Sequence, residues 1–483
     1  MNNVLPNFLP VVPEIFLMSM ACVILLITAF TDDKKRVWAY WLTQGSLIVA
    51  AWLTLRGSTG STVYTFHNMF IQDAMADTLK LALYAILFVV FAYSREYLKD
   101  RNMFRGEYFV LGLFGLVGMM VMVSAASMLT IYLGLELLSL SLYAMVALNR
   151  DSLRSTEAAM KYFVLGAIAS GMLLYGISMI YGITGSLELQ QIKASIANLG
   201  PDNLILVFGL VFIIVGLAFK LGAVPFHMWI PDVYDGAPTA VVMYVSSAPK
   251  LAAFAMIMRV LVGGLEPMSH SWQEMLIILS ILSMGLGNVI AIAQTNIKRM
   301  LAYSTISHMG FFLLGIISNS SNGYSSSMFY VLVYAVMSMG MFGMLTLMSG
   351  KGVEVAEIRD LQGLSQKHPW LAGLVLIFMF SMAGVPPTLG FYAKLLVVQS
   401  AVEAGMVWLA IVAVLMAVIG AFYYLRIVKV MYFDAPTEES THAYEVSPGE
   451  LGLVSINALS LIVMLFFVGW IIELCRHAIA GLL

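Results

Sequence analysis

"GLAFKLGAVPFHMWIPD" (residues 216–232) puts Lys220 at the end of a long apolar run and follows it with Gly222 and Pro225. Proline removes a backbone donor and clashes with the preceding turn, so a helix is expected to break here. The surroundings decide what kind of helix it is. Of 483 residues, 61% are apolar and 11% charged, where a soluble domain carries about 25% charged residues. Apolar runs of about 20 residues, long enough to cross a bilayer as helices, recur throughout, and no alternating pattern of about ten residues suggests a barrel. The expected fold class is an all-α polytopic membrane protein. A net charge of −2 and two cysteines, Cys22 and Cys475, point to no nucleic acid, disulfide framework or metal cluster. Redox chemistry within the chain is not expected.

Reading the apolar runs between polar breaks gives about fourteen helices, near residues 13–30, 37–56, 77–94, 107–124, 126–148, 156–182, 203–223, 237–262, 271–293, 297–317, 324–349, 369–399, 405–432 and 450–474. The first run lacks a basic leader and a small-residue cleavage site, and is read as a retained helix and not a signal peptide. With these spans, alternate connections face opposite sides and the basic residues sort. One side takes Lys34, Lys35, Arg36, Arg101, Arg154, Lys298, Arg299, Lys351 and others through Lys429. The opposite side keeps Arg56, Lys193 and Arg476, with Lys80 and Arg259 near helix ends. By the positive-inside rule the first side is cytoplasmic and both termini lie outside.

Four lysines fit no loop: Lys161, Lys220, Lys250 and Lys394. Glu136 in "IYLGLELLSLSLY" (131–143) and His308 in "STISHMGFF" (304–312) also lie about midway along apolar runs. A charge at the bilayer centre costs on the order of 2.5–3.5 kcal/mol, so such groups face protein or water and mark ion paths by default. Each has a plainer reading. Lys161 is close enough to its helix end to snorkel; Glu136 pairs with a neighbouring helix; His308 is a core histidine bonded to Ser304 or another hydroxyl. Lys250, mid-span after Pro249, is too deep for the first of these. A desolvated ammonium with a carboxylate nearby loads and releases a proton as that charge changes, and a Lys/Glu/His series with water is the chemistry of a proton relay.

The opening motif has an echo in "SMAGVPPTLGFYAK" (381–394), which again sets a small residue and Val before Pro, with a lysine nearby. Broken helices at matching places in two halves point to a transport site built from repeats. Two five-helix units, 107–262 and 271–432, are expected within one membrane domain spanning 1–483, flanked by the helices of 1–106 and 450–483. An odd number of spans per unit makes the repeat inverted. Irregular backbone at that depth lines water or is covered by protein.

"AFKLGAVPFHMWIPDVYDGAPT" (218–239), "VVMYVSSAPKLAAF" (241–254), "NIKRMLAYSTISHMGF" (296–311) and "GVPPTLGFYAK" (384–394) together resemble the antiporter-like membrane subunits of respiratory complex I, relatives of the multi-subunit cation/proton antiporters. The resemblance covers essentially the whole chain. It implies a proton-translocating subunit of NADH-quinone oxidoreductase, driven by electron transfer from NADH to quinone in other subunits, with a Na⁺/H⁺ antiporter subunit as the alternative. Carried over, Glu136 resembles the glutamate of the fifth helix and Lys220 the lysine of the broken seventh helix. Lys250 is similar to the central eighth-helix lysine, His308 to a polar residue of the central axis, and Lys394 to the twelfth-helix residue facing the periplasm. Lys161 is implied as a second partner of Glu136, and His227 and Asp232 as residues shaping the cytoplasmic loop. No cofactor is expected in this chain: flavin, iron-sulfur clusters and quinone belong to partner subunits. Partners implied are antiporter-like sisters, a lateral helix from the largest of them, phospholipids and protons. The chain itself is expected to stop after a fourteenth helix without such a lateral helix.

Overall fold

Hydrocarbon offers no partner to a backbone N–H or C=O, so each apolar run closes its hydrogen bonds as a helix. A computed structural model describes residues 6–30, 37–58, 60–201, 203–350, 354–436 and 447–481; Lys34, Lys35, Arg36 and Lys351 of the basic side lie outside these. Twelve helices among the described residues are long and apolar enough to cross a membrane, from Leu9–Phe30 to Pro448–Ala480. Val37–Gly57 is equally long but carries inward polar residues; buried Gln44 donates to the carbonyl of Phe88 at 3.0 Å. The run expected over 369–399 is two helices, Pro369–Ala383 and Leu389–Glu403. That over 203–223 is Leu204–Leu221, followed after the break by a short helix, Trp229–Gly236. Two elements lie between the expected spans: antiparallel strands Val63–Thr65 and Phe70–Gln72, and an amphipathic helix, Leu189–Leu199.

Both breaks are built alike. Helix Leu204–Leu221 ends with Gly222 at φ 78°, and Pro369–Ala383 with Gly384 at φ 82°. The N–H of Ala223 reaches back to the carbonyl of Ala218 and that of Gly222 to Phe219; Val385 and Gly384 repeat this with Phe380 and Ser381. These are Schellman ends, which need a residue tolerant of left-handed backbone. Serines take part in both breaks. Ser283 accepts the N–H of Val224 at 2.9 Å, and Ser381 accepts that of Gly390 at 3.2 Å.

A further correspondence runs through the two halves. Gly118 lets helix Gly106–Val123 touch the backbone of Met128–Val146 at Gly134 and Leu138, and Gly287 lets Ser269–Ala293 touch Ile297–Ile317 at Tyr303 and Ser307. Small residues allow such close helix approach in membranes. Ser127 caps Met128–Val146 and bridges to Glu188; Asn296 caps Ile297–Ile317 and bridges to Glu357. One sequence offset relates every member of the first set to its counterpart. The counterparts sit at opposite ends of the bundle: Asn296 donates to Asp235, which pairs with Arg154 beyond the far end of the helix that Ser127 begins.

At one end the basic residues gather around carboxylates. Glu354 meets Arg101 at 2.8 Å and Lys298 at 3.4 Å, and accepts from Tyr97 and Thr239. Lys80 and Arg259 are fully buried and paired, where the sequence suggested only residues near helix ends. Lys80 meets Glu14 at 2.6 Å, and Arg259 grips both oxygens of Asp73 at 2.6 and 2.8 Å while donating to the carbonyl of Val123. Arg259 sits in a widened π-helical turn, Met258–Gly264.

Candidate functional site

Helix Met128–Val146 brings Glu136 and Ser139 onto one face, three residues apart, where helical neighbours meet. Ser139 is fully buried and donates to the carbonyl of Leu135 at 2.5 Å, the usual back-bond of a serine within a helix. Its oxygen also accepts from Lys220 at 2.6 Å. Lys220 stands one residue before the end of its half-helix, where the negative end of the helix dipole favours a cation. The ring of Tyr143 lies 6.0 Å from the ammonium. Glu136 is partly buried, its Oε1 has no hydrogen-bond partner, and no salt bridge joins it to Lys220. The resemblance led us to expect Lys161 as a partner of Glu136. Instead Lys161 pairs with Glu157 at 2.8 Å and Asp232 at 2.9 Å. Its long stem reaches the short helix beyond the break, where Arg299 also meets Asp232 at 3.2 Å. Asp232 thus ties that helix to two others.

A cavity of about 20 Å³ joins Lys220 to Lys250, with Ser139, Tyr162 and Trp229 in its wall. Trp229 is held firmly: its indole donates to the carbonyl of Phe219 at 2.9 Å and stacks on Tyr162 with centroids 4.5 Å apart and planes 12° apart. The ammonium of Lys250, 1% exposed, lies 5.4 Å from the same indole. Cation–π attraction suits a desolvated ammonium.

In the second half, His308 is satisfied at both ring nitrogens. Nδ1 shares a hydrogen bond with the Tyr330 hydroxyl at 2.7 Å, and Nε2 with that of Tyr424 at 3.1 Å; Tyr424 in turn meets Ser304 at 2.5 Å. Phe311, one turn along the same helix, presents its ring 5.0 Å from the Lys394 ammonium. Lys394 donates to the carbonyls of Met382 and Ala383, at the end of the broken helix. The geometry therefore collects Glu136, Lys220 and Lys250 on one side and His308 with Lys394 on the other, and leaves Lys161 at the rim. Sequence reasoning did not single out Ser139, Trp229, Tyr330 or Tyr424. Ser139 alone carried a signal, its spacing from Glu136.

Among the described residues no group of three or more His, Cys, Asp and Glu is arranged to hold a metal. A family model described as NADH:quinone oxidoreductase/Mrp antiporter, TM, matches residues 125–420. The chain is 56% identical over 477 residues to NADH-quinone oxidoreductase subunit N of Thioalkalivibrio sulfidiphilus, covering 99% of each. It is 56% identical to that of Thiobacillus denitrificans, covering 98% of each. Among solved structures, a chain of respiratory complex I from Thermus thermophilus with bound aureothin is similar at TM-score 0.81 and 28% identity, covering 95% of this chain and 98% of that one. A chain of the Mrp complex from Dietzia sp. DQ12-45-1b, at TM-score 0.86 and 18% identity, covers 99% of this chain and 98% of its own and shares the fold. With more than half its residues inside the family model and more than half identical to full-length relatives, the chain belongs to the NADH-quinone oxidoreductase subunit N family of antiporter-like membrane subunits.

Proposed function

We propose that the chain moves protons across the bacterial inner membrane as a non-redox subunit of NADH-quinone oxidoreductase, through Glu136, Lys220, Lys250, His308 and Lys394, with Lys161 at the cytoplasmic rim. The observation that carries this reading is the cavity lined by both Lys220 and the fully buried Lys250. Its volume exceeds the roughly 10–15 Å³ that one water needs. A water there accepts a proton from the Lys220 ammonium as its own passes to the Lys250 amine, leaving Lys220 neutral and Lys250 charged. Glu136 biases that step, since a carboxylate close to Lys220 holds its proton and its neutralisation releases it. Moving a charge against the membrane potential costs about 2.3 kcal/mol per 100 mV, so the relay is driven from partner subunits and does not run alone.

The shared offset and matched Schellman breaks support two inverted five-helix repeats, 107–262 and 271–432, within fourteen spans. The basic cluster around Glu354 supports that end as cytoplasmic, which leaves both termini periplasmic. Antiporter-like sisters, a lateral helix and phospholipids are the partners this reading supplies. Identity of 56% to complex I relatives, against 18% to the Mrp chain, favours it over a cation antiporter. The test is Lys220→Ala and Glu136→Ala in the assembled complex: protons pumped per NADH oxidised fall. An unchanged ratio with intact assembly overturns the relay.

A further inference from the structure

Back-bonding to the carbonyl four residues earlier is ordinary for serines in this bundle; Ser46, Ser94 and Ser141 all do it. Ser139 differs in what its oxygen meets. With its proton committed to Leu135, its lone pairs are left for a donor, and the Lys220 ammonium takes that place at 2.6 Å. The nearest carboxylate along the same helix, Glu136, is one turn away with an unpartnered buried oxygen. An ammonium and a carboxylate attract strongly in a low-dielectric interior, yet Lys220 bonds to the serine, makes no ion pair with Glu136 and lines the cavity shared with Lys250.

We infer that Ser139 is a positioning residue that parks the Lys220 ammonium off Glu136 and facing the cavity toward Lys250; this rests on the relay proposed above. The arrangement is two-state. In one state Lys220 donates to Ser139 and faces the cavity; in the other it swings one turn to the free Glu136 oxygen and the hand-over geometry is lost. The hydroxyl also follows the proton. Once Lys220 has given its proton up, its nitrogen accepts instead of donating fully, and Ser139 turns its O–H from Leu135 toward the amine. No bond other than hydrogen bonds changes and no charge is created. A hydrogen bond to a charged group is strong enough to shift a two-state ratio by roughly tenfold or more.

The test compares wild type, Ser139→Ala, Ser139→Thr and Lys220→Ala in the assembled complex, reading protons pumped per NADH oxidised in sealed membrane vesicles and the Lys220 position in a density map. Ser139→Ala is expected to lower the ratio and to move the Lys220 ammonium onto Glu136, shifting that occupancy by roughly tenfold. Ser139→Thr, which keeps the hydroxyl, is expected to restore both. If Ser139→Ala does not assemble, Ser139→Cys, of the same shape with a weaker acceptor, is expected to behave as the alanine was. Lys220→Ala impaired with Ser139→Ala indistinguishable from wild type overturns the inference and spares the relay. A lowered ratio with Lys220 unmoved, or no rescue by threonine, overturns it also. Normal pumping by Lys220→Ala removes the relay and this inference with it.

Discussion

Lys394 donates to the carbonyl of Ala383 at 2.9 Å, so the cation of the second half rests on the end of its own broken helix. The last carbonyls of a helix carry partial negative charge and lack intrahelical partners. Lys394→Ala removes the cation but leaves carbonyls that water satisfies; it is expected to assemble and to pump fewer protons per NADH. Lys394→Glu sets a carboxylate against the same carbonyls, reversing an interaction of about 0.3–2 kcal/mol into a repulsion. Assembly yield is expected to fall for the glutamate and hold for the alanine, as native gels of the complex measure.

Asp73 and Arg259 form a buried pair, 2% exposed on each side. Asp73 also caps helix Ala74–Asp100 by accepting from Ala76 at 2.8 Å. Asn is as good a cap, so Asp73→Asn isolates the loss of charge. It leaves a buried arginine unpaired, and removing one partner of a buried pair costs about 3–5 kcal/mol. Arg259→Met strands the aspartate in the same way. The double variant Asp73→Asn, Arg259→Met removes both charges, and its unfolding midpoint in detergent is expected to lie closer to wild type than either single variant. Additive losses would refute the pairing as the source of stability.

Much of this arrangement was legible in the sequence because the bilayer is a simple solvent. Run lengths placed the helices, and the cost of a buried charge singled out Glu136, Lys220, Lys250, Lys394 and His308. What stayed hidden depends on which helices touch. The glycine contacts at Gly118 and Gly287 look like ordinary apolar helix until their neighbours are known. Tyr330 and Tyr424 reach His308 from helices well separated in sequence. Lys161 shows the limit of analogy: spacing fixed its depth, but a flexible four-carbon stem chose Asp232 over Glu136. Lys80 and Arg259 misled for the opposite reason, since their partners Glu14 and Asp73 lie on other segments.

Glu354 gives a pH dependence with a definite sign. Burial raises its carboxyl, but Lys298, the Thr239 hydroxyl, Arg101 and Tyr97 outweigh that and hold it below the usual 4.5. A carboxylate depressed in the folded state adds stability above its unfolded value and loses it as pH falls through its folded value. The difference in unfolding midpoint between wild type and Glu354→Gln is therefore expected to be full at neutral pH and to close below 4.5. Because the side chain is 32% exposed, the effect is modest. A gap that stays constant into acid would show that the contact is not electrostatic.

Gly222 tests the break itself. Its φ of 78° lies where an L-residue is strained, and a Cβ there would come within 1.8 Å of Ile230 Cδ1, on the short helix that carries Asp232. Alanine is therefore opposed twice, by about 1 kcal/mol or more of backbone strain and by a clash with the fully buried side chain of Ile230, next to Trp229. A shift of Ile230 acts on the cavity wall, since the adjacent Trp229 lines it and is anchored to the carbonyl of Phe219, three residues before the glycine. Gly222→Ala is expected to lower both stability and pumping, while Gly182→Ala, with nothing within 4 Å of its Cβ, changes neither. The informative comparison is Ile230→Ala combined with Gly222→Ala. Relieving the clash without relieving the strain is expected to recover pumping more than stability, and equal recovery of both would mean that the left-handed strain at residue 222 costs little beside the clash.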